Sequence, residues 1–147
     1  MTNVLIINGP NLNLLGSREP EIYGTTTLEE LDAFCVEWGR QLDFEVSTFQ
    51  SNHEGEIVDK IHDAAGAAGA AGAAGIIINA GALTHYSYAI YDALVAVGLP
   101  TIEVHISDIH GREEWRSKSV IQPACLAQIS GLGLEGYRKA LEVLAEH

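Results

Sequence analysis

Val4-Leu5-Ile6-Ile7 passes directly into Asn8-Gly9-Pro10-Asn11-Leu12-Asn13. An unbroken apolar run without polar alternation is what a parallel strand buried on both faces requires. The glycine, proline and asparagines behind it are turn residues that end the strand. The arrangement recurs twice: Ile76-Ile77-Ile78 runs into Asn79-Ala80-Gly81 and then Thr84-His85, and Thr101-Ile102 runs into Glu103-Val104-His105-Ile106-Ser107. In open α/β sheets, ligands bind beyond the carboxyl ends of the strands. Amides, imidazoles and a carboxylate at such ends therefore predict one converging site.

Helical periodicity fills the gaps between strands. Thr27 with Glu30 forms a capping box ahead of Leu28, Leu31, Phe34, Cys35 and Trp38 on one face. Phe44 to Phe49 alternates as a more exposed strand. Ser51 with Glu54 predicts a second capping box for a helix presenting Ile57, Val58 and Ile61. Thr84 is expected to cap a helix carrying Ile90, Leu94 and Val97, with His85 in its first turn. A short helix is predicted near 112–117, a weaker strand around 120–129, and a last helix with Leu134, Tyr137, Leu141 and Leu144. Strands alternating with helices predict a single domain over 1–147. The expected fold class is α/β: a flavodoxin-like doubly wound sheet of about five parallel strands, order 2-1-3-4-5, with helices on both faces. Residues 9–25 lack periodicity and are expected to form a lid loop. Residues 64–75 are four copies of Ala-Ala-Gly. Each helical glycine costs about 1 kcal/mol relative to alanine, so the helix opened at Glu54 should end in this low-complexity connection.

A length of 147 residues and 47% apolar content suit one hydrophobic core. Twenty acidic against 8 basic residues give a net charge of −12, which repels phosphate backbones and anionic lipid. Neither nucleic acid nor membrane is an expected partner, and no apolar run is long enough to span a bilayer. The amino terminus lacks the basic and cleavage segments of a signal peptide, so a cytoplasmic location is expected, with Cys35 and Cys125 as reduced thiols. Arg18, Arg112 and Arg116 fall in loops or helix starts near the strand ends. In so acidic a chain, that concentration points to a small-molecule anion.

Glu103 and His105 are two apart on a strand and project to the same face. The pair either orients an acid/base imidazole or is an ion pair at a sheet rim. Arg112 and Arg116, four apart, would repel on a helix face, a conflict relieved by Glu113 or by a bound anion. Arg18 and Tyr23 share the expected lid. A phenol acting as a base near neutrality must ionise about 3 pH units below its ordinary range, about 4 kcal/mol. One guanidinium about 4 Å away supplies about 4 kcal/mol at an effective dielectric of about 20. Read alone, Tyr23 is more often a packed loop aromatic. Asn79 and His85 flank Gly81, where a ligand can approach the backbone, though a strand-end asparagine also serves to fix a loop. No nucleophile elbow, Walker loop or dinucleotide fingerprint is present. Lys60, Lys118 and Lys139 fall away from the strand ends, against Schiff-base chemistry. A flavin-binding module would want a Ser/Thr/Gly-rich loop where this chain has Asn8-Gly9-Pro10-Asn11. A phospho-acceptor domain would want an aspartate where Asn79 stands.

The segments Ile7 to Gly16, Arg18-Glu19-Pro20 through Tyr23-Gly24, Gln50-Ser51-Asn52, Asn79 to His85, Glu103 to Ser107, Arg112-Glu113-Glu114 and Gly131-Leu132-Gly133 appear in order across nearly the whole chain. Together they resemble the type II 3-dehydroquinate dehydratases. The resemblance implies dehydration of 3-dehydroquinate to 3-dehydroshikimate, in the shikimate route to aromatic amino acids, through an enolate and without metal or organic cofactor. It assigns Tyr23 as general base, with Arg18 as the lid arginine that favours the ionised tyrosine. Asn11 would hold a water against the enolate oxygen, and His105, steadied by Glu103, would protonate the departing hydroxyl. Asn79, His85 and Arg116 match substrate-binding positions, Ile106 and Ser107 the backbone cradle of the carboxylate, and Arg112 would reinforce the positive field. Asp92 matches the position that reaches a neighbouring subunit's pocket, in a dodecamer built from trimers. The Ala-Ala-Gly tract, Gly111 and Trp115 depart from the commoner pattern.

Overall fold

Within β1 (Thr2–Asn8), consecutive apolar residues part to opposite faces: Val4 and Ile6 enter one core, Leu5 and Ile7 the other. That division makes this the central strand of a two-sided sheet. The computed structural model describes residues 2–17, 19–66 and 72–147. β1 pairs in parallel with β2 (Phe44–Gln50) and β3 (Gly75–Asn79). β3 pairs with β4 (Thr101–His105), and β4 with β5 (Ala127–Ser130). The result is a five-stranded parallel sheet in the order β2-β1-β3-β4-β5, as the sequence predicts.

The preceding short helix α1 (Pro20–Tyr23) and the long helix α2 (Leu28–Arg40) follow β1 in the chain. With α5 (Glu135–Glu146), α2 covers one face, where Leu31, Cys35, Tyr137 and Leu141 meet Val4, Ile6, Ile77 and Val104. On the other face α3 (Glu54–Ala64) and α4 (Tyr88–Val97) lay Ile57, Ile61, Ile90 and Leu94 against Leu5, Ile7, Ile76 and Ile78. Each such buried aliphatic side chain contributes roughly 1.5–3 kcal/mol. Among the described residues no helix is long and apolar enough to cross a membrane.

The capping box of α2 forms as expected: Glu30 N–H donates to Thr27 Oγ1 at 3.2 Å and Thr27 N–H to Glu30 Oε1 at 3.0 Å. Four other local expectations are corrected. The residue before α3 is His53, not Ser51, so Glu54 occupies the first helical position rather than the third. Its carboxylate instead accepts from Ser87 Oγ at 2.5 Å, while Ser51 donates to Glu56. Nor does Thr84 cap α4. Ser87 does, accepting from Ile90 N–H at 3.1 Å, and both Thr84 and His85 belong to the 3-10 turn Gly81–His85 before the helix. Arg112 is extended between the turns Ile109–Gly111 and Glu114–Ser117, so it shares no helix face with Arg116. Phe34, expected in the core, is 47% exposed and stacks on Trp38 at 5.6 Å.

The expected lid, 9–25, holds the 3-10 turn Leu12–Leu14 and α1, pinned by buried Leu12 and Leu15. α3 ends at Ala64, the first residue of the Ala-Ala-Gly tract, as predicted; 67–71 lie outside the described residues.

Strand register brings the chemistry together. Asn8 lies opposite Asn79, and the loops that follow touch: Gly9 N–H donates to the Asn79 carbonyl at 2.8 Å. A β-carbon on Gly9 would stand 2.6 Å from the Ala80 carbonyl oxygen, so only glycine allows this approach.

Candidate active site

The end of β4 carries the most densely hydrogen-bonded part of the cleft. Glu103 is fully buried, and His105 is 5% exposed. Glu103 Oε2 accepts from His105 Nε2 at 2.6 Å, from Thr84 Oγ1 at 2.6 Å and from Ser119 Oγ at 2.8 Å; its Oε1 also receives Ser119 Oγ at 2.9 Å. Burial alone would push this carboxyl up, but the hydrogen bonds from His105, Thr84 and Ser119 outweigh it and hold the group below the usual carboxylate range. An ionised carboxylate accepts only, so the proton of this bond sits on Nε2 and Nδ1 is the ring nitrogen left for chemistry.

His85 is held from a neighbouring segment. Its Nδ1 donates to the Lys118 carbonyl at 2.7 Å, and its ring meets Trp115 edge-on at 5.3 Å. Burial, followed by the nearby His105 and Arg116, pushes its imidazole below the ordinary histidine value despite the opposing bond to Lys118. His85 is thus a neutral ring beside a carboxylate-bonded one.

Across the cleft the loops supply Tyr23 and the arginines. Arg112 Nη1 donates to Tyr23 Oη at 2.8 Å, and its guanidinium carbon lies 5.7 Å from the Tyr23 ring centre. Arg18, the arginine expected beside this tyrosine, lies outside the described residues. Arg116 pairs with Glu113, the partner foreseen for it, and rests on the Trp115 ring at 4.1 Å. The side chains of Arg112 and Arg116 are only 17% and 20% exposed in a chain of net charge −12, so the cleft holds concentrated positive charge.

The floor is a relay of neutral groups. Asn79 Oδ1 accepts from Gly81 N–H at 3.1 Å, Asn79 Nδ2 donates to Tyr137 Oη at 3.0 Å, and Tyr137 Oη donates to Asn8 Oδ1 at 2.6 Å. The wall beyond β4 is Ile106 and Ser107. The Ile106 carbonyl accepts from Gly133 N–H at 3.1 Å, so the trans peptide turns the Ser107 N–H away from that turn.

One cleft is therefore lined by Tyr23, Asn79, His85, His105, Ile106, Ser107, Arg112 and Arg116, together with Leu12, Gly81, Ala82 and Ile109. Glu103 stands behind it through His105. Asn11 and Asp92 do not line it. Asn11 is exposed in a left-handed backbone conformation (φ 70°), its N–H donating to Asn52 Oδ1 at 2.9 Å, and Asp92 is exposed on α4. The cleft is narrow: the space open to the centres of water-sized molecules is about 30 Å³. Three contributors escape sequence reasoning. Thr84 looks like a helix cap, Tyr137 like one more core position, and Ser119 carries no motif at all.

Comparison with known proteins gives a consistent picture. Residues 2–145 match the family dehydroquinase class II. The 3-dehydroquinate dehydratase of Caldicellulosiruptor bescii is 59% identical over 146 residues, covering 99% of this chain and 98% of the relative. The crystal structure of a type II dehydroquinase from Propionibacterium acnes superposes with a TM-score of 0.92 at 45% identity, covering 100% of this chain and 98% of that one. A second, from Butyrivibrio crossotus, gives 0.92 at 49% identity, covering 97% of each chain.

Proposed function

This chain belongs to the dehydroquinase class II family, and on that premise we propose that it is a hydro-lyase converting 3-dehydroquinate to 3-dehydroshikimate and water, a step of the cytoplasmic shikimate route. The observation that carries the mechanism is the opposition, in one cleft, of an arginine-bonded phenol and a carboxylate-bonded imidazole.

Tyr23, as phenolate, takes the proton from the carbon next to the ketone. The electron pair of that carbon–hydrogen bond becomes an enolate. The enolate then expels the β-hydroxyl, which leaves as water with the proton of His105. Arg112 donates to the tyrosine oxygen and meets the negative charge held there, a role shared with Arg18. A guanidinium about 4 Å away supplies about 4 kcal/mol at an effective dielectric of about 20. The phenolate returns as the phenol's proton is passed on to His105 through solvent. Positioned proton transfers of this kind contribute about 10²–10⁴-fold each. Asn79, His85 and Arg116 bind the substrate's polar groups, and the Ser107 N–H, with that of Ile106, receives its carboxylate. Asn11, on the loop that follows β1, would hold water against the enolate oxygen once the lid closes. In so narrow a cleft, the loop-borne side chains would shift to admit a ring-sized substrate. The chemistry needs neither metal nor organic cofactor.

We assign Asp92 to a neighbour's cleft within a dodecamer of trimers. Its support is that Tyr88, Asp92 and Val95 are all exposed and share one face of α4, with Tyr88 62% and Val95 55% exposed. Light scattering of the purified protein tests this, and a monomer would refute it.

The activity test is to add 3-dehydroquinate and follow the ultraviolet absorbance of a conjugated enone. Growth of that band supports the reading, and its absence with folded protein ends it. Borohydride should trap no substrate adduct; a covalent adduct would indicate a lysine mechanism.

A further inference from the structure

Glu103, the buried partner of His105, stays ionised inside the protein only with help from its surroundings. A carboxylate with no exposure is expensive to bury unless its lone pairs are met. Here the structure provides two hydroxyls from separate segments, Thr84 from the turn after β3 and Ser119 from the stretch before β5. Thr84 is fully buried. The segments are themselves clasped. Val120 N–H donates to the Thr84 carbonyl at 2.8 Å, and His85 Nδ1 donates to the Lys118 carbonyl at 2.7 Å. Ser119 Oγ also accepts from Gln122 N–H at 3.1 Å, which occupies a lone pair and leaves its hydrogen directed at Glu103.

The pair Glu103–His105 can hold its shared proton in two ways. In one, Glu103 is a carboxylate and His105 carries hydrogen on Nε2. In the other, Glu103 is a neutral acid donating to a bare Nε2, and Nδ1 bears the hydrogen. Hydroxyl donors favour the first, because each satisfies a charge that the second arrangement lacks. We propose that Ser119, together with Thr84, is a positioning residue for the reaction's acid: the two hydroxyls hold Glu103 as an acceptor and so fix His105 with a hydrogen on Nε2 and its Nδ1 turned to the cleft, where Nδ1 takes up the second proton that the ring delivers to the departing hydroxyl. This rests on the function proposed above only for its kinetic consequence. The tautomer is a property of the protein alone.

Two measurements test it on the full-length oligomer. The first is the ¹⁵N spectrum of the His105 ring at neutral pH in the wild type, Ser119→Ala, Thr84→Val and Ser119→Thr. The wild type and Ser119→Thr should show the Nε2–H form, and the two deletions should show a shift toward Nδ1–H. The second is the pH profile of kcat. Each deletion should lower kcat by about 10–100-fold, the range for hydrogen bonds to charge, with KM changed less than about twofold. It should also move the acid limb of the profile to higher pH, and Ser119→Thr should restore both. Should one deletion fail to fold, the other carries the test. Unchanged ring spectra with an unmoved acid limb would overturn the proposal, whatever the loss of kcat. If the wild type proves inactive on 3-dehydroquinate, the function falls, but the ring spectra still decide the tautomer.

Discussion

The two walls of the cleft are built differently. On one, His105 ends a strand of the sheet and is held by buried Glu103, which buried Thr84 and half-buried Ser119 hydrogen-bond in turn. On the other, Tyr23 ends a single helical turn within a long loop, and Arg112 stands between two short turns. Glu19, which approaches Arg112 at 3.9 Å, is 48% exposed. On the proposed mechanism the acid is preorganised by the fold itself, and the base is carried by loop segments. Rigid placement suits a proton donor whose carboxylate must stay dry. A base carried on a loop suits the proposed site, which would admit a ring-sized anion and then exclude water.

If that contrast is right, damage to the two walls should differ in kind. The largest effect belongs to Tyr23→Phe, expected to lower kcat by about 10³-fold or more while thermal unfolding shifts stability by less than about 0.5 kcal/mol. A comparable loss of stability would mean that the loop wall is not the loose one. Next comes Arg112→Ala, with kcat reduced about 100-fold, the scale of one lost charge-stabilising donor, again with near-native melting. Glu103→Gln should cost both properties, about 10–100-fold in kcat and about 1–3 kcal/mol in stability, because an amide presents hydrogens to hydroxyls that were donating. A variant as stable as wild type in denaturant titration would remove the buried wall from the account.

The smallest effect is on stability against pH. Glu103 is held below its ordinary range, so its contribution is complete above about pH 4.3 and fades only as pH falls through its lower folded value. His85 is also held below its ordinary value. The unfolded chain therefore takes up this proton first, and stability should begin to fall as pH drops below about 6.5. Melting curves should show this shallow loss well before the acid transition, and His85→Gln should abolish it. A flat profile between about pH 6.5 and 5 would contradict the assignment.

What could be read from sequence follows the same division. β1, β3 and β4 are apolar runs ending in polar residues, so strand order and the meeting of Asn8, Asn79, Glu103 and His105 follow from periodicity and topology alone. Roles were harder wherever one residue type serves two purposes. Thr84 and Ser51 carry helix-cap chemistry, but tertiary partners, Glu103 and Glu56, claim their hydroxyls. Ser119 has no local pattern, since its partner lies 16 residues away on another element. The proximity of Arg112 to Tyr23, 89 positions apart, was likewise beyond local rules, although the clustering of arginines near strand ends pointed to the cleft. Tyr137 gave only a helical core signal, and its hydroxyl's link to Asn79 arises from packing α5 beneath β3.

The division of labour between base and acid is tested most directly by proton NMR of 3-dehydroquinate in D₂O. His105→Ala should exchange the hydrogen next to the ketone for deuterium while forming almost no enone, because the enolate forms but cannot release water. Tyr23→Phe should neither exchange nor dehydrate. Wild-type exchange rates in Tyr23→Phe, or no exchange in His105→Ala, would contradict the account.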